Sequence, residues 1–138
     1  MKIHTTNYYN TFIEIAEDCP VLKGEMPPIK NELKTAANIQ FEMISKNPYL
    51  YSSDDILFRV FAIKNDLTDN EIVEARNQFF SKGQPCFRAS PLTKRYGWGV
   101  HSDKNGKIAI YSADSESYHN FLTDNSLVKV KAMKSVRK

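Results

Sequence analysis

Cysteine is scarce in this sequence: only Cys19 and Cys86 occur in 138 residues. Two thiols are too few for a disulfide framework, so they read as reduced thiols and the fold must rest on a packed core. No stretch approaches the roughly 18 consecutive apolar residues of a membrane-spanning helix. The opening MKIHTTNYYN lacks the apolar centre of a secretory signal. A cytoplasmic protein without a membrane partner is therefore expected. Internal repeats and low-complexity tracts are absent. His4, His101 and His119 fall at spacings that match no metal-ligand pattern. No metal and no cofactor is expected. Helix-turn-helix, RNP and zinc-finger motifs are missing too, and no catalytic signature of high specificity is present.

What the chain does contain is core material. Apolar residues make up 41%, with eight Phe, seven Tyr and one Trp, a composition that disordered chains lack. The length suits one domain, residues 1–138, able to bury about two-thirds of its unfolded surface. The net charge of +3 conceals an asymmetry. Residues 1–75 hold seven Lys/Arg against twelve Asp/Glu, whereas residues 76–138 hold twelve against four. An anion would be drawn to the C-terminal part, unless the two halves fold together and neutralise each other.

Periodicity and turn residues suggest the order of elements. Residues 11–16 read as a short strand. Residues 18–30, with Pro20, Gly24, Pro27 and Pro28, read as an irregular connection. A helix is expected over about 31–46, ended by Pro48. Ser52-Ser53-Asp54-Asp55 looks like a second helix start, with both carboxylates at the positive end of the macrodipole. Thr68-Asp69-Asn70-Glu71 is a capping box opening a third helix to about Ser81, with Gly83 as its stop. Residues 86–90 read as a strand. Two further strands flank the turn Asp103-Lys104-Asn105-Gly106. A short helix follows Asp114-Ser115-Glu116, and residues 127–133 alternate as a last strand. Clustered elements of this kind point to an α+β domain: an antiparallel sheet of about four to five strands with helices packed on one face.

Several stretches mark a family. They are Thr5-Thr6-Asn7-Tyr8, Gln40-Phe41-Glu42-Met43-Ile44, Asn47-Pro48-Tyr49, Ser53-Asp54-Asp55 and the long segment SKGQPCFRASPLTKRYGWGVH at 81–101. With these the sequence resembles, almost end to end, a family of small bacterial proteins known only as a domain of unknown function. The resemblance implies a bacterial, cytosolic, single-domain protein and carries no activity or ligand with it.

The long segment also concentrates polar chemistry. Arg88, Lys94 and Arg95 supply cations, with the Ser90 and Thr93 hydroxyls between them, and arginine grips phosphate or carboxylate through a planar fork of donors. Gly97 and Gly99 bracket Trp98, which suits either a bulged strand or close approach of a ligand. If 86–90 is a strand, Cys86, Arg88 and Ser90 share the face opposite Phe87. The tail residues Lys129, Lys131, Lys134, Arg137 and Lys138 stand without acids, either as a lysine-protected edge or as a phosphate-contacting face. Two functions follow. One is a binding module for an anionic ligand, a small molecule or nucleic acid, held on the basic C-terminal sheet surface by Arg88, Ser90, Lys94, Arg95, Trp98 and His101. The other is a small enzyme with a Cys86/His101 active site. No third, orienting residue is identifiable for the latter, which favours binding. Cys86, preceding Phe87, is expected to be buried and slow to react. Paired carboxylates at 54–55 and 114/116 are explained by helix capping.

Overall fold

Strand β1 (Thr11–Glu14) sits at the centre of the sheet and takes both its partners from the far end of the sequence. The computed structural model describes residues 3–30 and 32–135. β1 pairs antiparallel with β2 (Trp98–Ser102) and parallel with β4 (Val128–Lys131). β2 pairs antiparallel with β3 (Ile108–Ser112), giving the order β3-β2-β1-β4. The β2–β3 hairpin turns where expected. Gly106 adopts φ 79°, and the Asp103 carboxylate accepts the N–H groups of Asn105 and Lys107 at 2.9 Å each.

Alternation along β1 divides the core. Ile13, Val100 and Ile108 face one side of the sheet, where they pack with Ile44, Ile56, Phe87 and Leu92. These last four belong to α1 (Ala36–Lys46), α2 (Ser53–Lys64), a 3₁₀ turn (Phe87–Ala89) and the one-turn α4 (Pro91–Lys94). Phe12 faces the other side and packs with Tyr118 and Phe121 of α5 (Glu116–Thr123). A third cluster, Phe58, Ala62 and Phe80, seats α3 (Ile72–Phe79) against α2. The class is α+β, with five helices and a four-stranded sheet among the described residues. Two details differ from expectation. The sheet is mixed, because β4 returns parallel to β1. And α5 lies on the face opposite the other helices, because Phe12 needs cover that a one-sided arrangement would not supply.

The capping residues set the helix starts. Ser52 accepts the Asp55 N–H at 3.1 Å while the Asp55 carboxylate accepts the Ser52 N–H at 3.1 Å. Thr68 and Glu71 form the expected box, although it opens a 3₁₀ turn (Asp69–Glu71) that runs into α3. Helix α1 starts five residues later than expected. Thr35 caps it, exchanging hydrogen bonds with Asn38, whose Nδ2 reaches back to the Pro27 carbonyl at 2.8 Å. Gly83 does not stop α3, whose cap is Phe80.

The strand expected at 86–90 does not form. The Cys86 carbonyl accepts the Ala89 N–H at 2.9 Å, and the Phe87 carbonyl accepts the Ser90 N–H at 3.2 Å. Ser90 then caps α4, with Pro91 in its first position, where the missing N–H costs nothing. The buried Thr93 hydroxyl closes the unit by donating to the Phe87 carbonyl at 2.7 Å.

Candidate functional site: a basic end and a half-buried imidazole

The six residues singled out from the sequence fall in three places. Arg88 sits on the 3₁₀ turn. Its Nε donates to the Lys131 carbonyl at 2.7 Å, and its own carbonyl accepts the Met133 N–H at 2.8 Å. The 87–89 turn is thereby stitched to the end of β4. Among the described residues Arg88 has no carboxylate partner. Lys94 and Arg95 end α4, and the Thr93 carbonyl accepts the Ala16 N–H at 3.0 Å. That bond brings α4 beside the turn carrying Glu17 and Asp18. Lys131 and Lys134 both reach Glu17, at 3.2 Å each, and hold its carboxyl below the usual range. This end of the molecule therefore gathers Arg88, Lys94, Arg95, Lys131 and Lys134. Arg137 and Lys138 lie outside the described residues.

Ser90 and Trp98 are engaged by the fold. The Ser90 hydroxyl is buried, donating to Gln40 Oε1 at 2.6 Å while accepting the Leu92 N–H. Trp98 donates its indole N–H to the Glu25 carbonyl at 2.8 Å and lies against Phe41. The irregular 18–30 segment is held there through Gly24, whose N–H donates to the Ser112 hydroxyl at 2.7 Å. The flanking glycines have packing explanations. Gly97 has φ 78°, and a Cβ on it would lie 2.5 Å from the Lys23 carbonyl oxygen. A Cβ on Gly99 would enter the Phe12 and Tyr118 rings.

Cys86 and His101 do not meet. Cys86 belongs to the segment packed on the first face, where its thiol lies 3.4 Å from the Tyr8 hydroxyl. It is half-buried rather than fully buried, because 86 caps a turn instead of lying within a strand. Burial and then the Cys86 thiol push the Tyr8 hydroxyl up from its usual value, against the pull of Arg88 nearby. His101 projects from the second face. Its ring stacks on Phe121 at 4.4 Å between centroids, and its Nδ1 lies 2.7 Å from the Tyr49 hydroxyl. Tyr49 in turn lies 2.7 Å from the Tyr111 hydroxyl.

This Tyr111–Tyr49–His101 chain is the feature that sequence reasoning missed. Tyr49 reaches across from the α1–α2 connection with φ 60°, a left-handed conformation costing a non-glycine residue of order 1–3 kcal/mol. Its N–H donates to the Ile108 carbonyl at 2.8 Å, and the two hydroxyl contacts complete the anchoring. In the sequence, Asn47-Pro48-Tyr49 reads as a family-marking stretch whose Pro48 stops a helix, with no role for the Tyr49 side chain. Nothing in spacing links residue 49 to residues 101 and 111. Desolvation lowers the His101 pKa, opposed by the charges of Asp103 and Asp124. The folded state therefore takes up its proton at lower pH than the unfolded chain. The stability contributed by the neutral ring is present above the ordinary histidine value of about 6.5 and is lost as pH falls from there toward the folded value. An NMR titration should give His101 a midpoint below 6.5, and Tyr49→Phe should move it. A midpoint at or above 6.5 would contradict the half-buried, neutral ring.

The model of a family of unknown function, DUF6157, matches residues 3–138, and the chain belongs to that family. No curated protein and no solved structure matches it.

Proposed function

We propose that this member of the family is a binding module rather than an enzyme. It holds the phosphate of an anionic ligand, whether a small molecule or nucleic acid, at the basic end formed by Arg88, Lys94, Arg95 and β4. A bacterial cytoplasmic setting is part of the same reading. The observation that carries it is the anchoring of Arg88. A neutral carbonyl positions its guanidinium, so the charge is oriented yet left uncompensated by any described carboxylate. Lys94 and Arg95 also lack ion-pair partners among the described residues. An oriented guanidinium beside unpaired cations suits phosphate, which accepts bidentate arginine bonds and tolerates point charges around them. Ser90, Trp98 and His101 take no part in this reading, since their polar atoms serve the fold or face elsewhere.

Arg88→Ala tests it. Losing one hydrogen bond to a carbonyl should lower stability by only about 1 kcal/mol, whereas losing a charge-assisted contact should weaken anion binding about tenfold or more. Titrations of inorganic phosphate, single-stranded DNA and duplex DNA, each at two ionic strengths, separate the ligand classes. A nucleic-acid ligand shows a steep salt dependence from counterion release. Failure of every probe at low salt, or unchanged affinity in both Arg88→Ala and Arg95→Ala, would overturn the proposal.

A further inference from the structure

On the helix-covered side, with a lining that includes none of Arg88, Lys94 and Arg95, α1 and α2 leave an open cleft of about 710 Å³ between them. That volume lies within the roughly 300–1,000 Å³ usual for ligand sites. Leu33, Ile39, Met43 and Ile63 line it, and Arg59 and Lys64 stand with them. Leu33 is 73% exposed and Ile63 48%, so large apolar side chains meet water here in one place rather than singly.

The charges around the cleft have one sign to offer. Its only acid among the described residues, Glu42, is taken up by Lys34 at 2.8 Å. Arg59 and Lys64 have no ion-pair partner among the described residues. Arg59 and Ile63 are four residues apart on α2, so cation and apolar contact lie on one helix face, a turn from each other. The Tyr51 hydroxyl, also on the lining, makes no hydrogen bond within the described residues and adds a third free donor. Met43 supplies an adaptable wall that moulds to an unbranched chain.

We infer that the α1–α2 cleft is a binding site for an amphipathic anion, an aliphatic chain ending in a carboxylate. The chain lies against Leu33, Met43 and Ile63, and the head group is met by Arg59 and Lys64. A neutral or cationic amphiphile would find the apolar wall and lose the head-group contact. The site is independent of the Arg88 surface.

Dodecanoate, titrated calorimetrically below its micelle concentration, tests the assignment, with dodecyltrimethylammonium as the opposite-charge control. Saturable one-to-one binding of dodecanoate is expected, with much weaker binding of the cation. Arg59→Gln should weaken dodecanoate about tenfold, as loss of one charge-assisted contact does. Ile63→Asp should abolish binding, and Arg88→Ala should leave it unchanged. Both altered positions in the cleft are exposed, and circular dichroism checks that the fold is kept. Should Ile63→Asp unfold, Arg59→Gln alone decides. Equal binding of the two amphiphiles, unchanged affinity in Arg59→Gln, or no saturation would overturn the site.

Discussion

Asp54→Ala should cost about 3–5 kcal/mol, because three hydrogen bonds to a charged acceptor are lost and a buried donor is left unpaired. One carboxylate oxygen accepts from the Thr6 N–H and the Thr6 hydroxyl, both at 2.7 Å. The other accepts the Thr5 hydroxyl at 2.7 Å. The Asp54 N–H donates to Asn7 Oδ1 at 2.9 Å, and the Thr6 hydroxyl also meets the Ser53 hydroxyl at 2.8 Å. Together these bonds clamp residues 5–7 onto the first turn of α2. Truncation to Ala leaves the buried Thr6 N–H without its acceptor and takes the charged acceptor from the Thr5 and Thr6 hydroxyls. At roughly 3–4 °C per kcal/mol for a chain of this length, thermal unfolding should shift down by about 10–20 °C. Asp54→Asn keeps one acceptor and should fall between Ala and wild type. A shift of only a degree or two in the Ala variant would show that the N-terminal segment contributes little to the cooperative unit.

Gly99→Ala should cost about 2–3 kcal/mol, the upper part of the range for overpacking a filled core. The added Cβ would lie 2.5 Å from Phe12 Cζ and 2.6 Å from Tyr118 Cε2. Neither ring is free to retreat. Phe12 is completely buried, edge-on to Tyr118 at 4.9 Å and stacked on Phe121 at 5.0 Å. The Tyr118 hydroxyl accepts the Ile15 N–H at 2.9 Å, which ties α5 to β1. Chemical denaturation should show a lower midpoint with an unchanged slope. In a Phe12→Leu background the penalty of the added methyl should shrink, and a double-mutant cycle reads that coupling directly. A Gly99→Ala protein as stable as wild type would mean that α5 slides away from the sheet at little cost.

Local signals in the sequence carried the elements further than they carried the site. Ser52, Thr68 and Ser115 announce helix starts because capping is a matter of adjacent side chains and orphan N–H groups. Asp103 to Gly106 announces a hairpin for the same reason. The 86–90 segment misled because Phe87 resembles a core strand residue, while the Ser90-Pro91 cap that redirects the backbone lies at its end. Asp54 was read as a capping carboxylate. Asp55 does the capping, and Asp54 holds Thr5 and Thr6, partners 48 and 49 positions away that no local pattern could connect. The candidate site shares that difficulty. Arg88, Lys94 and Arg95 are neighbours in sequence and were legible as a basic cluster. That Lys131 would offer a carbonyl to Arg88, and that His101 would turn to Tyr49 on the opposite face, depends on sheet order alone.

The central position of β1 has a consequence for biosynthesis. The strand is synthesised before either of its partners, and its pairing edges await residues 98–102 and 128–131. At about 5–20 residues per second, the nascent Thr11-Phe12-Ile13-Glu14-Ile15 segment stays unpaired for on the order of 10 s. Both its edges and both its apolar faces are open during that interval, which is the condition under which strands recruit one another between chains. Helices α1 and α2, of 11 and 12 residues, are too short to be stable alone and have no completed sheet to close upon. The final four-residue strand completes the sheet, so a ribosome stalled before residue 128 would present a three-stranded intermediate with one side of β1 exposed. Such stalled chains should depend on chaperones that bind extended apolar segments, and chains released with β4 complete should not.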